Sequence, residues 1–147
     1  MSGLSNHYDS MTAVKAVIDG LSLTGLTGGT VIQEVVTYQD GQYPLPFISI
    51  SPYGPERIGD ELNDRDGVYY GIAVCIVAKT DVSSLERRLA WRQSIRRHLH
   101  NTSLSGLGQN YNINIEPGNV VETKAWFDRN AFVSGMIVRV YFQEPRT

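Results

Sequence analysis

The side chains best suited to chemistry in this sequence are arginines, five of which fall within eleven residues. They are Arg87, Arg88, Arg92, Arg96 and Arg97. Guanidinium groups bind carboxylates and phosphates through paired N–H donors. Arg88, Arg92 and Arg96 are spaced by four, so they form a row along a helix. One interpretation is that their stems cover core edges while their charges reach water or a carboxylate of the same subunit. The other is that the row faces a partner's carboxylates or passing phosphates.

A second charged group is the acidic segment at residues 52–67, which contains two prolines and three glycines. Its charged candidates for assembly contacts are Glu56, Arg57, Asp60, Glu61, Asp64 and Asp66. The Asp64-x-Asp66-Gly67 element resembles part of a calcium loop, but Leu62 and Ala73 would occupy the outer ligand positions, which predicts no calcium site. We expect an extended acidic loop, arm or hairpin, because a polar connection this long is usually disordered or functional.

No catalytic or metal-binding constellation is recognisable. His98 and His100 are two residues apart at a helix end, so they point in different directions. Cys75 lies in the apolar run GIAVCIVA and is expected to be a buried, inert thiol. Ser134 lies inside a predicted strand without an obvious base, and His7 lies near the N-terminus. The sequence therefore predicts no enzyme, no metal and no cofactor, although a spatially assembled site would escape such a search.

The composition is that of one ordinary domain. The chain has 147 residues, a formal charge of -2 and a single cysteine, which excludes an intramolecular disulfide. The slight negative charge argues against a general nucleic-acid binder. No apolar run approaches the roughly 20 residues that cross a bilayer, and no secretory signal is evident. We expect a protein made inside the cell with no membrane partner.

The most regular element is a helix predicted over residues 82–100, with a start signal at Asp81, Ser83 and Ser84. Its expected core-facing stripe is Val82, Leu85, Leu89, Ile95 and Leu99, with Trp91 at the edge. A shorter helix is predicted after a cap at Asp9 or Ser10.

Alternating apolar residues predict strands at 30–38, 47–51, 68–79, 112–116 and 131–142. Both sides of 68–79 are apolar or small, so this strand is expected to be central. The expected fold is α+β: a single domain over 1–147, with a mostly antiparallel sheet of about five strands packed with two amphipathic helices.

The order of these elements resembles that of the tail terminator proteins of long-tailed bacteriophages. The similarity spans nearly the whole chain and lies in pattern, length and element order. Its segments are YPLPFISISP, DGVYYGIAVCIVAKT, SLERRLAWRQSIRRHL and WFDRNAFVSGMIVRVYFQEPR. Neighbouring neck and tail-completion families share this pattern.

The resemblance implies a non-enzymatic virion protein of the tail or neck, made in the host cytoplasm. It implies a ring, typically hexameric, that ends tail-tube growth and contacts the tube protein and a head-completion or connector protein. Genomic DNA would pass through the lumen, and Arg88, Arg92 and Arg96 are candidates for the subunit interface or lumen. A head-to-tail contact between one subunit's acidic arm and the next subunit's helix fits this architecture. The alternatives are a head-side connector or stopper and a small binding or inhibitor module.

Overall fold

A computed structural model describes residues 4–26, 28–32, 45–61, 64–79, 83–100, 104, 107, 112–122, 124 and 131–145. The elements, in chain order, are helix α1 (Asn6–Asp19), strands β1 (Thr30–Ile32), β2 (Phe47–Glu61) and β3 (Arg65–Lys79), helix α2 (Leu85–Leu99), and strands β4 (Asn112–Pro117) and β5 (Ala131–Pro145). This composition is the expected α+β class.

The described strands form one sheet in the order β1-β2-β3-β5-β4. β1 pairs with β2 in parallel, and the other three pairings are antiparallel. The prediction of a mostly antiparallel sheet with the 68–79 segment at its centre is therefore confirmed. Residues 33–38 of the expected first strand lie outside the described residues.

The hydrophobic core lies between one face of this sheet and the two helices. Alternate residues of β3, namely Ile72, Val74 and Ile76, are fully buried on that face, as the period of two requires. They pack with Val14 of α1 and Ile95 of α2 in a single core cluster. The opposite face, called the outer face below, carries Ser49, Ala73, Cys75, Gly135 and Ile137.

Both helices are capped by serine side chains. Ser5 Oγ accepts a hydrogen bond from Tyr8 N at 3.2 Å, so α1 begins at Asn6. The expectation of a cap at Asp9 or Ser10 was wrong, because both residues are buried inside the helix. Ser84 Oγ accepts from Arg87 N at 3.1 Å and caps α2 as expected. Asp81, another proposed start signal, and Val82, the expected first residue of the helix, lie outside the described residues.

Residues 52–61 and 65–67 lie on the paired strands β2 and β3, so the expected hairpin is confirmed and the alternative of an irregular loop was wrong. β2 continues from Phe47 to Glu61, and β3 already begins at Arg65. β5 runs alongside β3 as far as Pro145, which pairs with Arg65. The acidic arm, defined as residues 52–67, is therefore built from two strands and flanked by the end of β5 as a third.

The arm follows from a mismatch in element length. β2, β3 and β5 each have 15 residues, as does α2. At about 3.3 Å per residue such a strand spans about 50 Å, whereas at about 1.5 Å per residue the helix spans about 22 Å. Because one helical layer covers less than half the length of the strands, their far end projects beyond the helices.

Gly71 lies at a close contact between β3 and the backbone of β2. A Cβ at Gly71 would lie 2.5 Å from the Tyr53 carbonyl oxygen. We expect Gly71→Ala to lower the free energy of unfolding by about 1–3 kcal/mol, because the two backbones must separate. The control is Gly135→Ala, where the nearest atom to a Cβ is 4.0 Å away. Urea denaturation of both variants tests this, and equal stabilities would contradict the close approach.

Candidate functional site

The buried face of α2 differs from the expected one. Its buried residues are Arg88, Trp91, Arg92, Ile95 and Leu99. Leu85 and Leu89, expected in the core, are 45% and 38% exposed, and Trp91 is 2% exposed at the centre of the face. The Trp91 indole N–H donates to the Thr24 carbonyl at 2.8 Å, which anchors this orientation. The predicted stripe is therefore confirmed at Ile95 and Leu99 and wrong at Leu85 and Leu89, while Val82 lies outside the described residues. The buried face is rotated about the helix axis, so that Arg88 and Arg92 point inward.

Arg92 is held inside its own subunit by three hydrogen bonds. Nη1 donates to Ser134 Oγ and to the Gly135 carbonyl, both at 2.7 Å, and Nη2 donates to the Gly118 carbonyl at 3.2 Å. The pKa of Arg92 is lowered, first by burial and then by the charge of Arg96. Arg92 thus joins α2 to β5 and to the chain that follows β4.

The other two arginines of the row lie in different environments. Arg88 is buried, donates to the Lys79 carbonyl at 3.3 Å, and places its guanidinium carbon 5.1 Å from the Phe132 ring centroid. Burial lowers its pKa. Arg96 is exposed, and its side chain has no hydrogen bond or ion pair with another described residue. Arg88, Arg92 and Arg96 were the candidates for a subunit interface or lumen. Of these three side chains, only that of Arg96 is accessible to another molecule.

The acidic arm is exposed on both sides of β2. All eight residues from position 52 to position 59 are exposed, whereas a strand on a covered sheet alternates. Ile58 is 63% exposed and Tyr53 is 40% exposed. Glu56, Arg57 and Asp64 are exposed as well, while Asp66 is half-buried. Asp60 and Glu61 belong to β2 near the hairpin end.

The N-terminus of α1 is fixed to the base of the arm by a polar cluster. His7 Nε2 donates to the Gly71 carbonyl at 2.6 Å, and its ring centroid lies 5.0 Å from that of Tyr70. The Tyr70 hydroxyl donates to the Glu144 carboxylate, which also accepts from Asn6. The pKa of Tyr70 is raised well above its ordinary value, first by burial and then by this hydrogen bond. His7, whose position near the terminus gave no hint of this, has a structural role.

The outer face contains a groove of about 500 Å³ with a floor of small side chains. Ser49, Ala73, Cys75 and Gly135 are among its lining residues, and Glu122 stands on one wall. Burial raises the pKa of the Cys75 thiol to about 11, and the charge of Glu122 contributes in the same direction. At neutral pH the thiol is therefore protonated and a poor nucleophile. Cys75 is half-buried and lines the groove, whereas full burial was expected.

A second groove, of about 480 Å³, lies where the arm meets the sheet and was not predicted from the sequence. Arg139 Nε donates to Glu116 Oε1 at 2.6 Å, and the guanidinium carbon lies 5.9 Å from the Tyr53 ring centroid. The Arg139 side chain is only 5% exposed, against 40% for Glu116. Arg57 and Asn114 also line this groove. The sequence signal that could have revealed this groove is Arg139 itself, because a charged residue on the outer face interrupts the otherwise apolar strand β5.

The described histidines and carboxylates form no cluster of three or more residues that could hold a metal ion. His98 Nδ1 donates to the Ser94 carbonyl at 2.8 Å within its own helix. Among the described helices, none is long and apolar enough to cross a membrane.

The hydrogen bonds of Arg92 predict a structural role. Arg92→Ala is expected to lower the free energy of unfolding by about 3 kcal/mol or more, because a buried hydroxyl and two partly buried carbonyls lose a charged donor. Arg92→Glu is expected to prevent folding, since a carboxylate would face those carbonyl oxygens. Arg96→Ala, the control, should change stability by less than about 0.5 kcal/mol. Thermal unfolding measures all three, and an Arg92→Glu chain that folds normally but fails to assemble would return Arg92 to the interface.

The environment of Cys75 predicts a pH-dependent reactivity. Because its pKa is raised to about 11, the protonated thiol contributes stability at neutral pH that is lost as pH rises towards that value. At pH 8.5 we expect iodoacetamide to alkylate the native chain at least about tenfold more slowly than the urea-unfolded chain. Glu122→Gln should increase the native rate, because it removes a charge that raises the pKa. Equal rates for the native and unfolded chains would contradict this assignment.

No model of a protein family matches the sequence, and no curated protein is significantly similar to it. Exposed features of the described residues include the acidic arm and a surface of α2 that carries Leu85, Leu89 and Arg96.

Proposed function

We propose that this chain is a structural virion protein that forms a ring at the head-proximal end of a phage tail tube. The ring ends tube polymerisation and joins the tail to the head. The observation that carries this proposal is the acidic arm, a strand-built extension with exposed Ile58 and Tyr53 that buries little of its own surface. An ordered, largely uncovered extension of this kind suits contact with another subunit.

The ordering of the arm argues for an assembly partner. Fixing the backbone costs roughly 1–2 kcal/mol per residue, which burial normally offsets. Along positions 52–59 of β2 that burial is limited in the isolated chain, since every residue is exposed and Ile58 is 63% exposed. Pairing with β3 supplies hydrogen bonds on one edge of the strand. A partner that covers the arm would supply the remaining apolar contacts.

The order of the elements supports the placement in a phage tail. A helix, two strands, a long central strand, a second helix and two further strands follow one another along the chain. This is the order on which the resemblance to tail terminator proteins rests. It is shared by the neck proteins, so a head-side connector or stopper remains the second candidate.

Tube capping tests the proposal directly. The purified chain is added to polymerising tail tube protein, and tube lengths are measured by negative-stain electron microscopy. We expect shorter tubes that carry extra density at one end. In the control, the chain is added after polymerisation is complete. We expect it to bind the tube ends and to leave the tube lengths unchanged.

The same material separates the two candidates. Pull-down with tube protein but not with portal-side protein supports the tail terminator, and the reverse result supports the connector. Unchanged tube lengths together with no binding to either protein would overturn the proposal and favour a binding module.

A further inference from the structure

We infer that the acidic arm of one copy docks on an exposed strip of α2 in a second copy of this chain. The helix strip is defined as Leu85, Leu89 and Arg96. This inference rests on the proposed ring, because it names the surfaces by which neighbouring subunits meet. It also moves the expected helix contact from the arginine row to this strip.

The three residues of the helix strip are aligned. At about 100° per residue, their directions around the helix axis fall within about 40° of each other. Leu85 and Leu89 are 45% and 38% exposed, and they adjoin the buried face at Arg92. The strip thus presents two apolar side chains followed by a cation, which predicts a partner with apolar and acidic groups in sequence.

Arg96 is the polar end of this strip, and its surroundings favour an incoming carboxylate. It is exposed and has no side-chain partner among the described residues. Its charge lowers the pKa of the buried Arg92, so two like charges face each other across the helix surface. Arg97, also exposed, adds a third positive charge nearby. A carboxylate placed at Arg96 would relieve this repulsion.

The acidic arm has the complementary pattern. Ile58 is the most exposed apolar side chain among the described residues of the arm, and five carboxylates against two arginines give the arm a net negative charge. From Ile58 to Glu61 the strand rises about 10 Å. From Leu89 to Arg96 the helix rises about 10 Å as well. Ile58 can therefore contact the leucines while the exposed Asp64, at the end of the hairpin, reaches Arg96.

The arm cannot reach the helix strip of its own chain. Arg92 is bonded to Gly135, whereas the hairpin end pairs with Pro145 on the same strand. Gly135 and Pro145 are ten residues apart on β5, so Arg92 and the end of the hairpin are separated by about 30 Å. This distance is several times the screening length of about 8 Å at physiological salt. The complementary surfaces therefore meet between copies, head to tail.

Side-chain docking fits the arm better than strand addition. Beyond Ser51, the outer edge of β2 pairs with no described strand. However, Pro52 and Pro55 lack the N–H groups that a regular ladder needs, and the register with β3 shifts twice in this stretch. Prolines and irregularities of this kind block edge-to-edge pairing.

A charge exchange between two variants tests the contact. The helix variant is Arg96→Glu with Arg97→Glu, and the arm variant is Glu56→Lys with Asp64→Lys; all four residues are exposed. Each variant alone places like charges in the contact, so its self-association should weaken about tenfold or more. In a 1:1 mixture, every arm again meets a helix of opposite charge. We expect even-numbered, alternating assemblies in native mass spectrometry.

Two controls accompany the exchange. Lys15→Glu with Arg87→Glu makes the same change in net charge away from the helix strip and should assemble like the wild type. Ile58→Ser removes the apolar part of the contact and should weaken association at both low and high salt. Thermal unfolding confirms that every variant is folded.

The outcomes distinguish this contact from the proposed function. The contact would be overturned if the 1:1 mixture were no more assembled than the separate variants. It would also be overturned if the Lys15→Glu, Arg87→Glu control lost assembly to the same extent. Variants that assemble like the wild type but lose DNA binding would assign the strip to phosphates and overturn it as well. A wild-type chain that stays monomeric overturns the contact, while tube capping is decided separately.

Discussion

The structure depends on a mismatch between the reach of strands and the reach of helices. Three strands and one helix have the same number of residues, yet the strands extend more than twice as far. The two helices bury the end of the sheet that contains Ile72, Val74 and Ile76. At the other end, β2 is exposed on both sides from Pro52 to Gly59, and this end forms the acidic arm. Exposure of polar and acidic residues there is a consequence of this geometry, because apolar residues at those positions would face water.

The rotation of α2 is the second determinant, and a buried cation fixes it. Arg92 satisfies two carbonyls and a hydroxyl from β5 and the chain after β4. A guanidinium suits this role because its planar donors reach several acceptors at once. With Arg92 inward, Leu85, Leu89 and Arg96 necessarily lie on the exposed flank. The surface available to a partner is thus set by a hydrogen-bond network in the interior.

The sequence predicted the centre of the fold because the pattern there is local. Alternating apolar residues identified β3 and β5, and the serines before α2 identified its start. The continuation of β2 into the arm was missed, since Pro52, Gly54 and Pro55 are typical of loops. Pairing with β3 overrides these local preferences, and it involves residues that lie about 15 positions away.

The burial of Arg88 and Arg92 could not be predicted from the sequence of the helix alone. One helical face of regular spacing contains the two arginines together with Trp91, Ile95 and Leu99. A face that contains Leu85 and Leu89 is equally regular. The choice depends on acceptors at Gly118, Ser134 and Gly135, which come from distant segments. A buried guanidinium is tolerated only where such acceptors are already in place. Nothing in the local pattern reveals them.

The construction of the arm also bears on whether the proposed contact closes a ring. A head-to-tail contact gives a closed ring only if the rotation between neighbouring copies divides a full turn; otherwise it gives an open filament. A flexible loop would leave that rotation undefined. The arm is instead paired along β3, which in turn is paired with β5 to its end, and His7 and Glu144 fix α1 to its base. Such an extension transmits the orientation of the sheet to the contact, so one angle repeats from copy to copy.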